Sequence, residues 1–188
     1  MKTFAILLLV LLSAESCRGA DAVANLKRDA ALCAKAWDCA DYPQFLGLLA
    51  DPVIGDDKAR DAALADIKDV FGYLNSLGLD TMKVSVDEPQ SIRKTGSLYS
   101  SIVPVTAVMD GIEGRITAPS YVLAISRDHG ATWKFIILWQ RSDWQINALI
   151  PEFQGKFAIP TPQSPVIQYK KKPNQSPEPT APSGRGSS

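Results

Sequence analysis

The sequence predicts an α+β domain in which three N-terminal helices pack on a curved antiparallel sheet of four to five strands, a cone. Three observations carry this reading. Apolar residues recur at helical spacing over residues 24–77, and the period changes to two after Gly78, where β-branched residues become frequent. Asp110-Gly111 then separates two long alternating runs as a hairpin turn does.

The first helix is read over 24–39, where Leu26, Ala30, Cys33 and Trp37 share a stripe while Lys27, Arg28, Asp29 and Lys35 lie mostly elsewhere. Asp41 has the character of an N-cap and Pro43 fits a first turn, so a short second helix is expected over 42–50, stopped by Asp51-Pro52. The third helix opens at Gly55-Asp56-Asp57. Its stripe of Ala59, Ala63, Ile67, Val70, Leu74 and Leu77 runs unbroken to a C-cap at Gly78. Asp56, Asp57 and Asp61 sit where the helix dipole favours acids, so they read as a solvated helix start and not as a metal site.

Met82, Val84 and Val86 alternate with polar partners in the first strand, which Pro89 interrupts. A turn at Lys94-Thr95-Gly96-Ser97 leads to a long strand with Tyr99, Val103, Val105 and Ala107 on one face and Ile102, Thr106 and Val108 on the other. The run Ile112 to Ser126 is long enough to need a bend, which Pro119 can supply, and Tyr121, Leu123 and Ile125 form its apolar face. After a turn over 127–131, the strand Trp133 to Trp139 is apolar on both sides, which predicts a central place in the sheet. Asp143 is read as the cap of a short helix through Ile150, ended by Pro151. From there to Ser188 the chain holds 8 of its 13 prolines. Phe153, Phe157, Ile159 and Val166 keep this stretch apolar enough to lie against the domain as an extended strap; beyond Tyr169, Pro, Ser, Gly and Lys predict disorder.

Lys2 precedes an apolar run from Phe4 to Leu12, far short of the roughly 20 residues of a spanning helix, and this reads as a signal peptide. The small-residue rule places the cut after Ala20-Asp21-Ala22, before Val23. Ala14-Glu15-Ser16 offers a second cut that would make Cys17 the first residue of a lipoprotein, although Glu15 is foreign to such a site. The chain thus divides into a signal peptide (1–22), one domain with its strap (23–168) and a basic tail (169–188), with the mature protein expected in the periplasm or secreted. The 20 basic and 20 acidic residues divide unevenly: 14 against 17 in the domain, and Lys170, Lys171, Lys172 and Arg185 against Glu178 in the tail. A mildly acidic domain argues against nucleic-acid binding, and three tail lysines read as solvated. Cys33 and Cys39 on one continuous helix would stand about 9 Å apart along its axis, beyond the reach of a disulfide. A break near Asp38 would permit the bridge, and otherwise Cys33 is a small buried hydrophobe.

Ser126-Arg127-Asp128-His129-Gly130-Ala131-Thr132-Trp133 fits the pattern S-x-D-x-G-x-T-W and resembles the Asp-box of sialidases and other β-propeller proteins. One copy without an internal repeat does not make a propeller. The motif's implied role is structural: Asp128 bonds amides of the turn, Gly130 takes a positive φ, and Trp133 packs beneath the hairpin. His129 is the only histidine, which leaves no His/Asp or Cys/His pair and no zinc cluster; no catalytic residue, metal or cofactor is predicted. Asp41, Asp51, Asp87, Glu88 and Asp110 stand at element ends, where turns and caps place acids anyway. The candidate ligand-binding set is aromatic: Trp37, Tyr42, Tyr73, Tyr99, Tyr121 and Trp139 lie on elements that could converge between helices and sheet, with apolar walls and polar tips suited to a small organic ligand.

Three helices followed by long antiparallel strands joined by hairpins resemble the nuclear transport factor 2-like superfamily of cystatin-like α+β cones, over about residues 24–141. Ser120-Tyr121-Val122-Leu123-Ala124-Ile125-Ser126 through Trp133-Lys134-Phe135 is also similar to a group of uncharacterised exported bacterial proteins of this type. The resemblance implies a pocket inside the cone and a homodimer, in a superfamily of dehydratases, isomerases, polyketide cyclases and non-catalytic binding modules. The catalytic Asp/His pairs of its enzymes have no counterpart here, so it implies no catalytic residue. The expected function is an exported, non-catalytic domain that binds a small apolar ligand or a protein partner through the concave sheet face. An isomerase- or lyase-type enzyme with a pocket carboxylate facing Tyr99 or Tyr121 is the alternative, and an inhibitor or immunity-like protein the second.

Overall fold

The computed structural model describes residues 21–50, 55, 57–76, 78–138, 141–161 and 163–170. Residues 1–20, with the expected signal peptide's apolar run, the Asp51-Pro52 stop, Asp56, Leu77, Trp139 and the residues beyond 170 lie outside the described residues, as do the side chains of Val70 and Leu74.

Helix α1 covers residues 21–38 and buries Ala22, Leu26, Ala30 and Ala36, with Cys33 and Trp37 half-buried beside them. It is already helical before residue 24, because Ala22 falls one turn before Leu26 on the same stripe. The helix closes with Ala40 in the left-handed region (φ 56°), where Ala40 N–H donates to the Trp37 carbonyl and Asp41 N–H to the Ala36 carbonyl. Cys33 and Cys39 both carry free thiols, as an unbroken helix between them requires, and burial pushes the Cys33 thiol up to about 12. In α2 (Tyr42–Leu48) the Asp41 carboxylate caps the start by accepting from the Gln44 N–H at 3.1 Å. Leu49 and Ala50, expected to continue α2, instead leave it to pair with Phe135 of the sheet. Helix α3 spans Asp57–Ser76, and Gly78 follows it at φ 73°.

The sheet is antiparallel with six strands: β1 (Leu79–Val86), β2 (Arg93–Thr95), β3 (Leu98–Gly111), β4 (Gly114–Ser126), β5 (Lys134–Ile137) and β6 (Val166–Tyr169). The main order is β1-β3-β4-β5, with β2 on β3 and β6 on β4; the sheet is not closed into a barrel. The short β2 and β6 were not foreseen as strands and take the number past the expected four to five. The β3–β4 ladder is unbroken from Tyr99 opposite Ser126 to Asp110 opposite Arg115. Asp110 is therefore in the ladder, not the turn. Arg115 holds it there through Nε to Oδ1 at 2.7 Å and a terminal nitrogen to Oδ2 at 3.1 Å, and the turn moves to Ile112-Glu113.

The β3–β4 pairing runs through Pro119, opposite Thr106, without interruption. Leu138 N–H reaches the Tyr121 carbonyl, so odd-numbered backbone groups of β4 point to its outer edge. There β5 covers Val122–Ile125 and β6 covers Gly114–Thr117, and the N–H that Pro119 lacks falls in the gap between them. Gly114 is needed for the second contact, since a Cβ on it would lie 2.3 Å from the Gln168 carbonyl oxygen.

Both faces of the sheet are covered. Val103, Ala124 and Phe135, with Tyr99, Val122 and Ile137 beside them, pack against α1, α2 and the Ala63, Leu64 and Ile67 stripe of α3. On the other face Leu98, Leu123, Ile125, Ile136 and Leu138 meet the C-terminal segment. That segment holds α4 (Asp143–Leu149), a 3-10 turn (Pro151–Phe153) and the strap residues Phe157 and Ile159. This corrects the expected central place of the last strand: β5 ends the β1-β3-β4-β5 order, and its two apolar faces are explained by helices on both sides.

Ser142, not Asp143, caps α4, its N–H donating to Gln145 Oε1 at 2.8 Å. The Asp143 carboxylate accepts instead from the Ile159 N–H at 2.8 Å. Asn147 pairs with Phe157 reciprocally, Nδ2 to the carbonyl at 2.9 Å and Oδ1 from the N–H at 3.1 Å, as a neighbouring strand would. The strap thus follows the expected course through Ile159. Val166 departs from it: with Ile167 it forms β6 and is about half exposed.

Candidate functional site

The five described members of the aromatic set, Trp37, Tyr42, Tyr73, Tyr99 and Tyr121, do not come together at one place, and Trp139 lies outside the described residues. Trp37 and Tyr99 lie on the face covered by α1–α3, where Trp37 meets Phe45 edge-on at 4.8 Å between ring centroids. Tyr121 is on the opposite face with the C-terminal segment. The register dictates this separation, since every β3–β4 pair couples an odd residue with an even one, and two odd-numbered tyrosines must face opposite ways. Tyr42 is half-buried on α2, with its phenol pushed up by burial, and Tyr73 on α3 is 64% exposed.

A cleft of about 270 Å³ opens instead between β2–β3 and the segment after α4. Its apolar floor comes from Ile102, Leu123, Phe153 and Phe157, all belonging to the C-terminal-face core, and Phe153 stacks on Phe157 at 4.9 Å. The polar part is contributed by short elements. Arg93 and Thr95 sit on β2, a strand held in place by the two-residue Gly96-Ser97 turn that pairs Thr95 with Leu98. Ser101 is buried beside them and donates to the Gln90 carbonyl at 2.7 Å, which fastens the loop before β2 to the sheet.

Charge within the cleft is unbalanced. Arg93 and Lys156 both line it, and among the described residues neither forms an ion pair. Glu152, the one carboxylate of the lining, pairs with Arg127 through Oε1, and that contact holds its carboxyl below the usual range. The other oxygen, Oε2, is buried with no hydrogen-bond partner among the described residues. These residues were not singled out from sequence: Arg93 stood in a loop and Glu152 and Lys156 in the strap. Phe153 and Phe157, four residues apart, were the legible trace of a wall there.

The eight-residue motif folds as its resemblance implies. Asp128 accepts from Ser126 Oγ at 2.7 Å, from Thr132 N–H at 3.0 Å and from Thr132 Oγ1 at 2.6 Å. Ser126 Oγ in turn accepts from the Gly130 N–H at 2.8 Å. The turn is then docked on α1: Asn25 Nδ2 donates to the Gly130 carbonyl, and the buried Asp29 carboxylate accepts from the Trp133 N–H, both at 3.0 Å. His129 at the exposed tip packs edge-on against Tyr99. The Ser126, Asp128 and Thr132 side chains are engaged within the turn, which makes the motif a structural clamp.

The Asp128 carboxyl has a pH signature. Burial raises it, but the bonds from Thr132 and Ser126 together outweigh burial and bring it from 3.8 down to about 2. A folded value below the unfolded one means stability fully present above pH 3.8 and lost as pH falls through about 2. Asp128→Asn is therefore expected to flatten the acid limb of a stability-versus-pH curve in that window. An acid limb identical to wild type would assign it to another carboxylate.

Among the described residues no helix is long and apolar enough to cross a membrane, and no group of three or more His, Cys, Asp or Glu could hold a metal ion. No family model matches the chain, and no curated protein or solved structure matches it.

Proposed function

We propose that this chain is an exported, non-catalytic binding domain whose ligand is a small amphipathic molecule carrying an acidic group, held in the cleft between β2–β3 and the segment after α4. One observation carries the reading: two cations that form no ion pair among the described residues stand over an apolar floor, with the cleft's single carboxylate already paired to Arg127. The ligand's acidic group would meet Arg93 and Lys156, and its apolar body Phe153 and Phe157. The acid group revises the apolar ligand expected from the aromatic set. Export rests on the apolar run Phe4 to Leu12. The element order supports a nuclear transport factor 2-like domain, while the site proposed lies on the face covered by the C-terminal segment. An isomerase- or lyase-type enzyme would need a carboxylate beside a tyrosine, and no tyrosine lines this cleft.

Two dyes test the proposal. Anilinonaphthalene sulfonate joins an acid group to an apolar body, and phenylnaphthylamine is its uncharged counterpart. Saturable binding of the sulfonate is expected, weakened about tenfold in Arg93→Ala/Lys156→Ala, with the neutral dye unaffected. Equal binding of the sulfonate by both proteins, or no saturable binding, would discard the cleft as the site.

A further inference from the structure

We propose that leader processing leaves Ala22 in the mature protein, so that the cut favoured by the small-residue rule, between Ala22 and Val23, is not the one used and the mature chain begins within residues 17–21. The inference rests on the export reading above, but its physical basis lies in the folded domain. Ala22 is 1% exposed and belongs to the core under α1. Its carbonyl accepts the buried Trp133 indole N–H at 3.2 Å. Its methyl occupies the only space a Cβ on Gly130 could take, 2.4 Å away.

A chain beginning at Val23 loses all three relations at once. The indole N–H is a donor with no other chemistry available, and its acceptor would be gone. In that acceptor's place would stand the new α-ammonium group, itself a donor and a cation at a helix N-terminus, where the dipole opposes positive charge. The methyl would leave a void against Gly130. The other small-residue site, Ala14-Glu15-Ser16, leaves Ala22 in place and makes Cys17 the first residue.

The test is the intact mass and N-terminal sequence of the full chain after export from a bacterial cell. A first residue between Cys17 and Asp21 is expected, with or without a lipid on Cys17. A first residue at Val23 or later overturns the inference while leaving export intact. A chain still beginning at Met1 overturns it together with the export reading, and the mass tells these failures apart. In parallel, chains made to begin at Asp21 and at Val23 are compared by melting. The Val23 chain is expected to melt about 5–10 °C lower; equal melting temperatures overturn the inference.

Discussion

Trp133→Ala is expected to destabilise the domain by about 3–5 kcal/mol, measured as a lower denaturation midpoint at unchanged slope. The side chain is 1% exposed, and it lies where the β4–β5 connection meets α1. Truncation removes the large apolar surface between the clamp turn and the helix, and it leaves the Ala22 carbonyl without its donor. The main-chain bond from Trp133 N–H to Asp29 survives in principle, but the backbone is then held by one polar contact instead of a packed ring. Trp133→Phe separates the two contributions. It keeps most of the packing and loses the indole bond, so its cost should be clearly smaller. A Trp133→Ala midpoint equal to wild type would mean that the hairpin does not depend on this contact.

Gly130→Ala is expected to cost about 2–5 kcal/mol, from two sources that can be told apart. Gly130 has φ 86°, a conformation that L-residues with a Cβ rarely adopt. The added methyl would also stand 2.4 Å from the Ala22 methyl and 3.1 Å from its Cα, contacts that force the turn off the helix. Ala22→Gly in the same chain removes the first collision and leaves the backbone strain. The double variant should therefore recover part of the loss, a positive coupling between residues more than a hundred positions apart in sequence. Strictly additive costs would show that the two residues do not press on one another.

Where the fold was legible, it was legible through periodicity. The stripe Leu26, Ala30, Cys33 and Trp37, the change of period after Gly78 and the alternation along β3 and β4 each reflect burial on one side of an element. The errors arise where tertiary partners decide. Asp110-Gly111 has turn chemistry, but a bidentate partner at Arg115 holds Asp110 in the ladder. An apolar β5 suggested a central strand because nothing local reveals that α4 and the strap cover the second face. The site was less legible still. Register parity parts Tyr99 from Tyr121, and the cleft assembles Arg93, Glu152 and Lys156 from segments whose meeting depends on Asn147 and Asp143 holding the strap. The eight-residue motif is legible because the bonds that shape its turn, among Ser126, Asp128, Gly130 and Thr132, lie within it.

The clamp between α1 and the turn before β5 also orders events in time. Asp29 and Ala22 find their partners 104 and 111 residues later in the chain. A polypeptide made from its N-terminus therefore carries α1 with α2 beside it but without its clamp until Trp133 has emerged. By then β1 to β4 are complete, and the β2–β3 and β3–β4 hairpins close loops of only two residues. The contact that fixes α1 on the turn before β5 is thus among the last that synthesis makes available.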